Sequence, residues 1–171
     1  KQLALSPDGQ RLAFIQQVGR VDRVHLWDVQ TGRELATAPG ARKSPTANSA
    51  MLTSLAFSAD GLVASDADHA IQLWDADLRH PPQVIATSGV SGFGTDVAFM
   101  PGGQTIALAT HDGMVSLWDR ASGRNVARMG GVTSMVKSLA LSSDGKTLVA
   151  GGRSHHLEHW NTADGRRVRR I

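Results

Sequence analysis

The chain has no cysteine and no tyrosine, and only four tryptophans and four phenylalanines among its 171 residues. Without cysteine it forms no disulfide, no thiolate metal site and no cysteine nucleophile. No apolar run approaches the roughly 20 residues that a membrane-spanning helix needs. These absences exclude a disulfide-stabilised fold and predict no membrane partner. They leave the compartment open, with the cytoplasm as the preferred alternative.

The four tryptophans recur at regular spacing along the chain. They are Trp27, Trp74, Trp118 and Trp160, at steps of 47, 44 and 42 residues, and the segments that end in them are VHLW, IQLW, VSLW and LEHW. A second anchor recurs in the same phase: LALSPDG, LAFSADG, VAFMPGG and LALSSDG begin at positions 3, 55, 97 and 139. Self-similarity of this period is typical of a propeller or a solenoid.

Each repeated block has the pattern of four short strands. Period-two alternation and β-branched or aromatic residues predict the strands, and the third strand ends at the tryptophan. Asp8-Gly9, Asp60-Gly61 and Asp144-Gly145 predict tight turns between the first and second strands, because glycine accepts the positive φ that such turns demand. Gly102-Gly103 takes the same place in the third block.

The LAxSxDG anchor, followed later in the block by an ending of the form apolar-x-Leu-Trp-Asp, is similar to the WD-repeat family of β-propellers. The first block also resembles the related periplasmic-type repeats. The resemblance implies an all-β propeller of four-stranded antiparallel blades. We expect one domain with blades at about 1–40, 52–88, 95–129 and 137–171, and we expect these four blades to be part of a larger ring.

The resemblance also implies a hydrogen-bonded network within a blade, made by a Ser or Thr, a turn Asp and the Trp. The residues at these positions are Thr110, Asp112 and Trp118 in the third block, Asp68 and Trp74 in the second, and Trp27 and Trp160 in the first and fourth. The Gly-His pair of the family is absent, and Val21 and Ser154 occupy the Asp position in the outer blocks. We therefore expect the blades to depend more on sheet packing than on polar networks.

Charge is distributed unevenly. Residues 1–49 carry seven basic and four acidic side chains, 50–119 one and eight, and 120–171 ten and three. This is either an ordinary solvated surface or a set of complementary flanks that face another copy or missing blades. Nucleic acid is not the predicted partner, because the arginines of 166–170 alternate on a short strand without stacking aromatics.

A metalloprotease-like HxxEH pattern spans 155–159. The repeat phase places it on a strand, where residues four apart are roughly 13 Å from each other and too distant to share one zinc ion. His159 takes the place of Leu26, Leu73 and Leu117, so we expect it in a core or at an interface. No phosphate-binding glycine loop or nucleophile elbow is present. We predict no metal, no cofactor and no catalytic residue.

The loops hold the candidate binding residues, because loops carry function on a rigid scaffold. The candidates are Arg20 and Arg23 in 16–23, Arg42 and Lys43 in 39–52, Phe93 in a glycine-rich connection and Met135 in the next connection. We predict a non-catalytic protein-interaction scaffold or sensor module whose partner docks on these loops. The alternative is the propeller of an enzyme or signalling protein, with a hydrolase or lyase site at the channel or a catalytic domain outside this segment. The Ala, Arg and Gly bias favours a bacterial source.

Overall fold

A computed structural model describes residues 3–19, 21–40, 52–66, 69–87, 92–130, 135–153 and 155–171. Sixteen strands in these ranges form four antiparallel sheets of four strands each. No helical segment in these ranges has the length and hydropathy needed to cross a membrane. The all-β fold with four-stranded blades, predicted from the repeats, is confirmed.

Each sheet is built from consecutive strands of one repeat. The first sheet contains β1 (Leu3–Leu5), β2 (Arg11–Val18), β3 (Val21–Asp28) and β4 (Glu34–Pro39). The second contains β5 (Leu52–Phe57), β6 (Gly61–Asp66), β7 (Ala70–Asp75) and β8 (Gln83–Ala86). The third contains β9 (Gly94–Phe99), β10 (Thr105–Thr110), β11 (Val115–Asp119) and β12 (Asn125–Met129). The fourth contains β13 (Val136–Leu141), β14 (Thr147–Gly152), β15 (Glu158–Asn161) and β16 (Arg167–Arg170).

All four tryptophans lie on the third strand of their sheet, as the repeat phase predicts. Each pairs in register with an apolar residue of the second strand: Trp27 with Leu12, Trp74 with Leu62, Trp118 with Ile106 and Trp160 with Leu148. Because side chains alternate along a strand, one face of every sheet carries the tryptophan. The opposite face carries smaller aliphatic residues.

The sheets pack in chain order, the aliphatic face of one sheet against the tryptophan face of the next. Ala13 and Leu26 of the first sheet share a core with Trp74 of the second. The second and third sheets bury a core that includes Trp118, and the third and fourth bury one that includes Trp160. Three inter-sheet cores therefore hold the four sheets together.

The outer faces of the first and fourth sheets are uncovered. In the described part of the chain, no extensive strand packing joins the fourth sheet back to the first. On the first sheet, Leu3 and Leu5 are 69% and 59% exposed, and Trp27 is only half-buried. On the fourth sheet, His159 is half-buried. The expected core environment of His159 is only partly present, because no sheet packs on the outer face of β15.

The turns between first and second strands follow the prediction in three blocks. Gly9, Gly103 and Gly145 have φ values of 69°, 72° and 70°. The prediction for Gly61 is wrong. Gly61 begins β6, and its carbonyl accepts a hydrogen bond from the Ser58 N–H at 2.7 Å. The second block has fewer residues between its Asp-Gly pair and its second strand. The glycine is therefore the first residue of the strand and does not occupy the positive-φ position of the turn.

Candidate binding cleft on the loop face

The first and third strands of every sheet begin at one edge, where the second and fourth strands end. We call this edge the loop face. An apolar cleft of about 400 Å³ opens there, and we call it the loop-face cleft; its lining residues are Thr53, Phe93, Gly94, Thr95, His111, Met135 and Lys137. These residues come from the second, third and fourth sheets. The cleft therefore exists only because the three sheets are packed side by side.

Repetition of the sequence explains how the cleft is assembled. Thr53, Thr95 and Lys137 each lie two residues before the apolar residue that begins the LAxSxDG-type anchor. Phe93 and Met135 each lie four residues before it in consecutive blocks. Equivalent positions of neighbouring blades therefore meet at one place, and their differing side chains give the cleft its particular chemistry.

Phe93 is a fixed aromatic wall although its side chain is 55% exposed. Its ring stacks on His69, with centroids 5.4 Å apart, and its carbonyl accepts a 2.8 Å hydrogen bond from the His111 N–H. The preceding Gly92 approaches the turn so closely that a Cβ atom would lie 2.6 Å from Asp112 Oδ1. Only glycine fits there, so the loop crosses the turn in one defined position.

Met135 forms the opposite wall and is held in the equivalent way. Its carbonyl accepts a hydrogen bond of 3.1 Å from the Arg153 N–H. A Cβ atom on Gly152 would lie 1.9 Å from that carbonyl oxygen, so a glycine is required at this approach as well. The unbranched thioether can adapt to differently shaped partners. The cleft thus has one rigid wall and one adaptable wall.

Two threonines place polar groups in the cleft. Thr53 Oγ1 donates a hydrogen bond of 2.8 Å to the Gly94 carbonyl, which ties the second sheet to the third. Thr95 Oγ1 is buried and has no hydrogen-bond partner among the described residues. A buried hydroxyl without a partner is costly to leave unsatisfied. Thr95 therefore keeps an unsatisfied hydroxyl below the surface of the cleft.

Asp96, next to Thr95, connects three sheets behind the cleft. Its Oδ1 accepts a hydrogen bond of 2.6 Å from Ser54 Oγ of the second sheet. Its Oδ2 accepts one of 2.7 Å from the Leu139 N–H of the fourth sheet. Because charge-assisted hydrogen bonds are the stronger ones, this carboxylate holds the three inner strands that carry the cleft. The sequence patterns did not single it out.

The structure brings together only two of the six candidate binding residues. Phe93 and Met135 both line the cleft. Arg23 lies on β3, opposite Gln16 and Pro39, and does not line the cleft. Three candidates, Arg20, Arg42 and Lys43, lie outside the described residues. Sequence analysis missed Thr95, His111 and Lys137, although the repeat alignment had placed Thr95 and Lys137 at matching positions.

The network expected within the third blade is present in a different form. Thr110 Oγ1 donates to Asp112 Oδ1, but the Trp118 indole N–H donates to Ser116 Oγ at 2.8 Å instead of joining Thr110. The Nε1 atoms of Trp27 and Trp74 are buried without a partner among the described residues. Asp68 lies outside those residues. Packing is thus the contribution that all four tryptophans share.

The HxxEH segment does not form a helical metal site. Glu158 and His159 lie on β15, and no cluster of three metal-binding side chains occurs in the described ranges. The buried Glu158 carboxylate instead pairs with Arg170 at 2.5 Å and with Arg167 at 3.6 Å. These contacts are structural, because they join β15 to β16 within one sheet.

Comparison with known proteins agrees with this architecture. Residues 83–119 and 123–161 match the family described as WD domain, G-beta repeat. Over 133 residues the chain is 30% identical to a periodic tryptophan protein 2 homolog of Neurospora crassa; the match covers 75% of this chain and 13% of that protein. Over 133 residues it is 27% identical to the homolog of Schizosaccharomyces pombe; this match covers 75% of this chain and 14% of that protein. Over 80 residues it is 30% identical to cell division cycle 20.1, cofactor of APC complex, of Arabidopsis thaliana, covering 47% of this chain and 18% of that protein.

The chain spans less than a fifth of the length of each of these relatives. All three relatives are eukaryotic. They give no support to the bacterial source that composition favoured.

Proposed function

Because the chain belongs to the WD-repeat family of β-propellers, whose members act as interaction scaffolds, we propose that it binds a partner protein at the loop-face cleft. Phe93 and Met135 are the anchors in this proposal. The observation that carries it is the apolar cleft itself, which three sheets build and which leaves an aromatic ring more than half exposed. Exposed aromatic and methionine side chains are enriched at binding surfaces.

The mechanism of this module is rigid display. The carbonyls of Phe93 and Met135 are already bonded to the next turn, so both walls are in place before a partner arrives. Preorganised walls lower the entropy that binding must overcome. A partner then docks with little change in the backbone of the propeller.

The alternative of an enzyme site at the channel is favoured by no observation in the described residues. Small residues of the inner strands, Ala4 and Ala56, pack against the cores between sheets, and the half-buried carboxylate of Asp96 is occupied by structural hydrogen bonds.

A displayed peptide library selected on the 171-residue chain tests the proposed function. We expect enriched peptides whose binding is lost when Phe93→Ala and Met135→Ala are combined. Val126→Ala is the matched control, because Val126 is 58% exposed but lies on the outer strand β12. Peptides that bind the double variant as well as the unchanged chain would contradict a loop-face site.

We also propose that isolated chains associate through their uncovered sheet faces. The tryptophan face of the first sheet and the aliphatic face of the fourth are the two halves of the interface that recurs three times inside the chain. The basic fourth sheet and acidic middle sheets steer the orientation of approach. Sedimentation over a concentration series tests this, and a monomer at every concentration would contradict it.

A further inference from the structure

We propose that the loop-face cleft takes an acidic peptide segment carrying one large apolar side chain. This inference rests on the proposed function and names the chemistry of its partner. The apolar side chain lies between Phe93 and Met135, and flanking carboxylates meet Lys137 and Arg153. No property of the tryptophan repeat dictates this chemistry, since it comes from side chains that differ among the four blocks.

The size of the cleft suits a single side chain. Ligand clefts of roughly 300–1,000 Å³ enclose drug-sized molecules, and this one, at about 400 Å³, is near the lower end. Its entrance is bordered by the exposed ring of Phe93 and the half-buried thioether of Met135. One aromatic or long aliphatic side chain fills such a space, and the rest of the peptide remains at the rim.

One basic residue lines the cleft and a second lies next to it along the backbone. Lys137 lines the cleft, and Arg153 is bonded through its backbone to Met135. Both are exposed, and within the described part of the chain neither forms an ion pair. The segment 131–134 contains no acidic residue in its sequence. By contrast, the neighbouring Arg167 and Arg170 are paired with Glu158, so Lys137 and Arg153 remain available to an acidic partner.

The described carboxylates near the cleft bond to groups other than these cations. Asp96 accepts hydrogen bonds from Ser54 and Leu139, and Asp112 accepts one from Thr110. An extended segment that carries both an apolar and an acidic group therefore meets complementary chemistry at each of its parts.

Methyl NMR with three synthetic peptides tests this inference on the 171-residue chain labelled at its methionine methyl groups. The probes are Glu-Glu-Phe-Glu-Glu, its glutamine counterpart Gln-Gln-Phe-Gln-Gln, and Glu-Glu-Ala-Glu-Glu, all with blocked ends. We expect the first to shift the Met135 methyl resonance saturably. We expect the other two to bind about tenfold more weakly or worse, since losing a charge pair or an aromatic anchor costs at least that much. Met100, at the opposite edge of the third sheet, is the internal control.

Charge reversal separates the rim from general electrostatics. Lys137→Glu combined with Arg153→Glu should abolish binding of the acidic probe, whereas Lys146→Glu combined with Arg124→Glu, which changes net charge equally away from the cleft, should not. Equal binding of the acidic and glutamine probes would overturn the inference, and so would the absence of a Met135 shift with every probe. An oligothymidine is a further probe, and tighter binding of it than of the acidic peptide would also overturn the inference. If the library selection still yields loop-face peptides, and these are neutral or basic, the proposed function stands and only the acidic chemistry fails.

Discussion

The first and third sheets carry nearly the same third-strand sequence, VHLWD and VSLWD, but bury it differently. Trp118 in the third sheet is 2% exposed, because the second sheet packs on the tryptophan face of the third. Trp27 in the first sheet is half-buried, because none of the four described sheets covers that face. The repeated motif thus places a tryptophan on the third strand, whereas packing of the neighbouring sheet determines how much that tryptophan stabilises the fold.

The residue two positions before each tryptophan shows the same contrast. In the third sheet, Ser116 is buried and accepts the Trp118 indole N–H. In the first sheet this residue is His25, which stacks on Phe14 at 4.9 Å and pairs with Glu34 at 2.6 Å. The polar residue at this position thus bonds to the tryptophan in the third sheet and to other residues of the sheet in the first.

The largest expected effect comes from removing the two tryptophans in turn. Trp118→Ala should lower the free energy of unfolding by about 3–5 kcal/mol, as for a buried aromatic that leaves a cavity. Trp27→Ala should lower it by only about 1–2 kcal/mol, because part of that ring already contacts solvent. Urea unfolding followed by far-ultraviolet circular dichroism measures both. Equal decreases in the free energy of unfolding would contradict the expectation that the covered tryptophan stabilises the fold more than the uncovered one.

A smaller difference is expected for two aspartates that join sheets. Asp96→Ala should cost about 2 kcal/mol, since it leaves the Leu139 N–H and the Ser54 hydroxyl without their acceptor. Asp22→Ala should cost about 1 kcal/mol, because among the described residues the Asp22 side chain accepts one hydrogen bond, from the Leu52 N–H, and its Oδ1 has no partner. Hydrogen exchange at the Leu139 and Leu52 amides distinguishes the two. If Asp22→Ala accelerates exchange at Leu52 more than Asp96→Ala accelerates it at Leu139, the expected order of the two effects is wrong.

An ion pair between the second and third sheets should contribute less and depend on pH. Hydrogen bonds from Arg120, at 2.8 Å and 2.9 Å, and from Ser58 hold the pKa of Asp60 below its usual value of 3.8. A lowered folded pKa means that this stabilisation is present above the unfolded pKa and is lost as pH falls through the folded pKa. Arg120→Gln should therefore raise the pKa of Asp60 and cost at most about 1 kcal/mol at neutral pH.

Carbon-13 titration of the Asp60 carboxyl gives its pKa, and urea unfolding at several pH values gives the stability. The difference between the variant and the unchanged chain should shrink once Asp60 is protonated in both. A constant difference down to the lowest pH would assign the effect to the contact of Arg120 with the Phe99 ring, 5.9 Å away, instead of the ion pair.

The smallest effect should be the same in the first and third sheets. Hydrogen bonds from Thr31 lower the pKa of Asp28, and hydrogen bonds from Ser122 lower the pKa of Asp119, at equivalent exposed turns. Thr31→Ala and Ser122→Ala should raise these pKa values to a similar extent, and each stabilisation should be lost as pH falls through the lowered pKa. Carboxyl titrations measure both shifts. Clearly different pKa shifts of Asp28 and Asp119 would mean that packing of a neighbouring sheet also affects hydrogen bonding in the solvent-exposed turns.

Several local features were predictable because they depend on near neighbours in the sequence. The positive φ of Gly9 and Gly145 follows from the Asp-Gly turns, and the strand placement of Glu158 and His159 follows from the repeat phase. Gly61 was not predicted correctly, because a shorter turn changes which residue needs a positive φ. Turn length is a property of the whole hairpin and is not visible in a dipeptide.

The cleft shows the limit of sequence-based prediction more sharply. Phe93 and Met135 were recognisable as unusual loop residues, but nothing in their own segments showed that they line one cleft. Lys137 and Arg153 became candidates only when the structure placed both beside Met135. Asp96 resembled any other polar strand residue until its bonds to two neighbouring sheets were seen.

The sequence by itself determined the repeat, the four strands of each blade and the strand on which every tryptophan lies. These follow from alternation and turn chemistry, which act over a few residues. The tertiary structure alone decided which tryptophans are buried, which carboxylate joins three sheets and where the apolar cleft opens. Those properties arise between blades, because residues about 42 positions apart meet only when one sheet packs on the next.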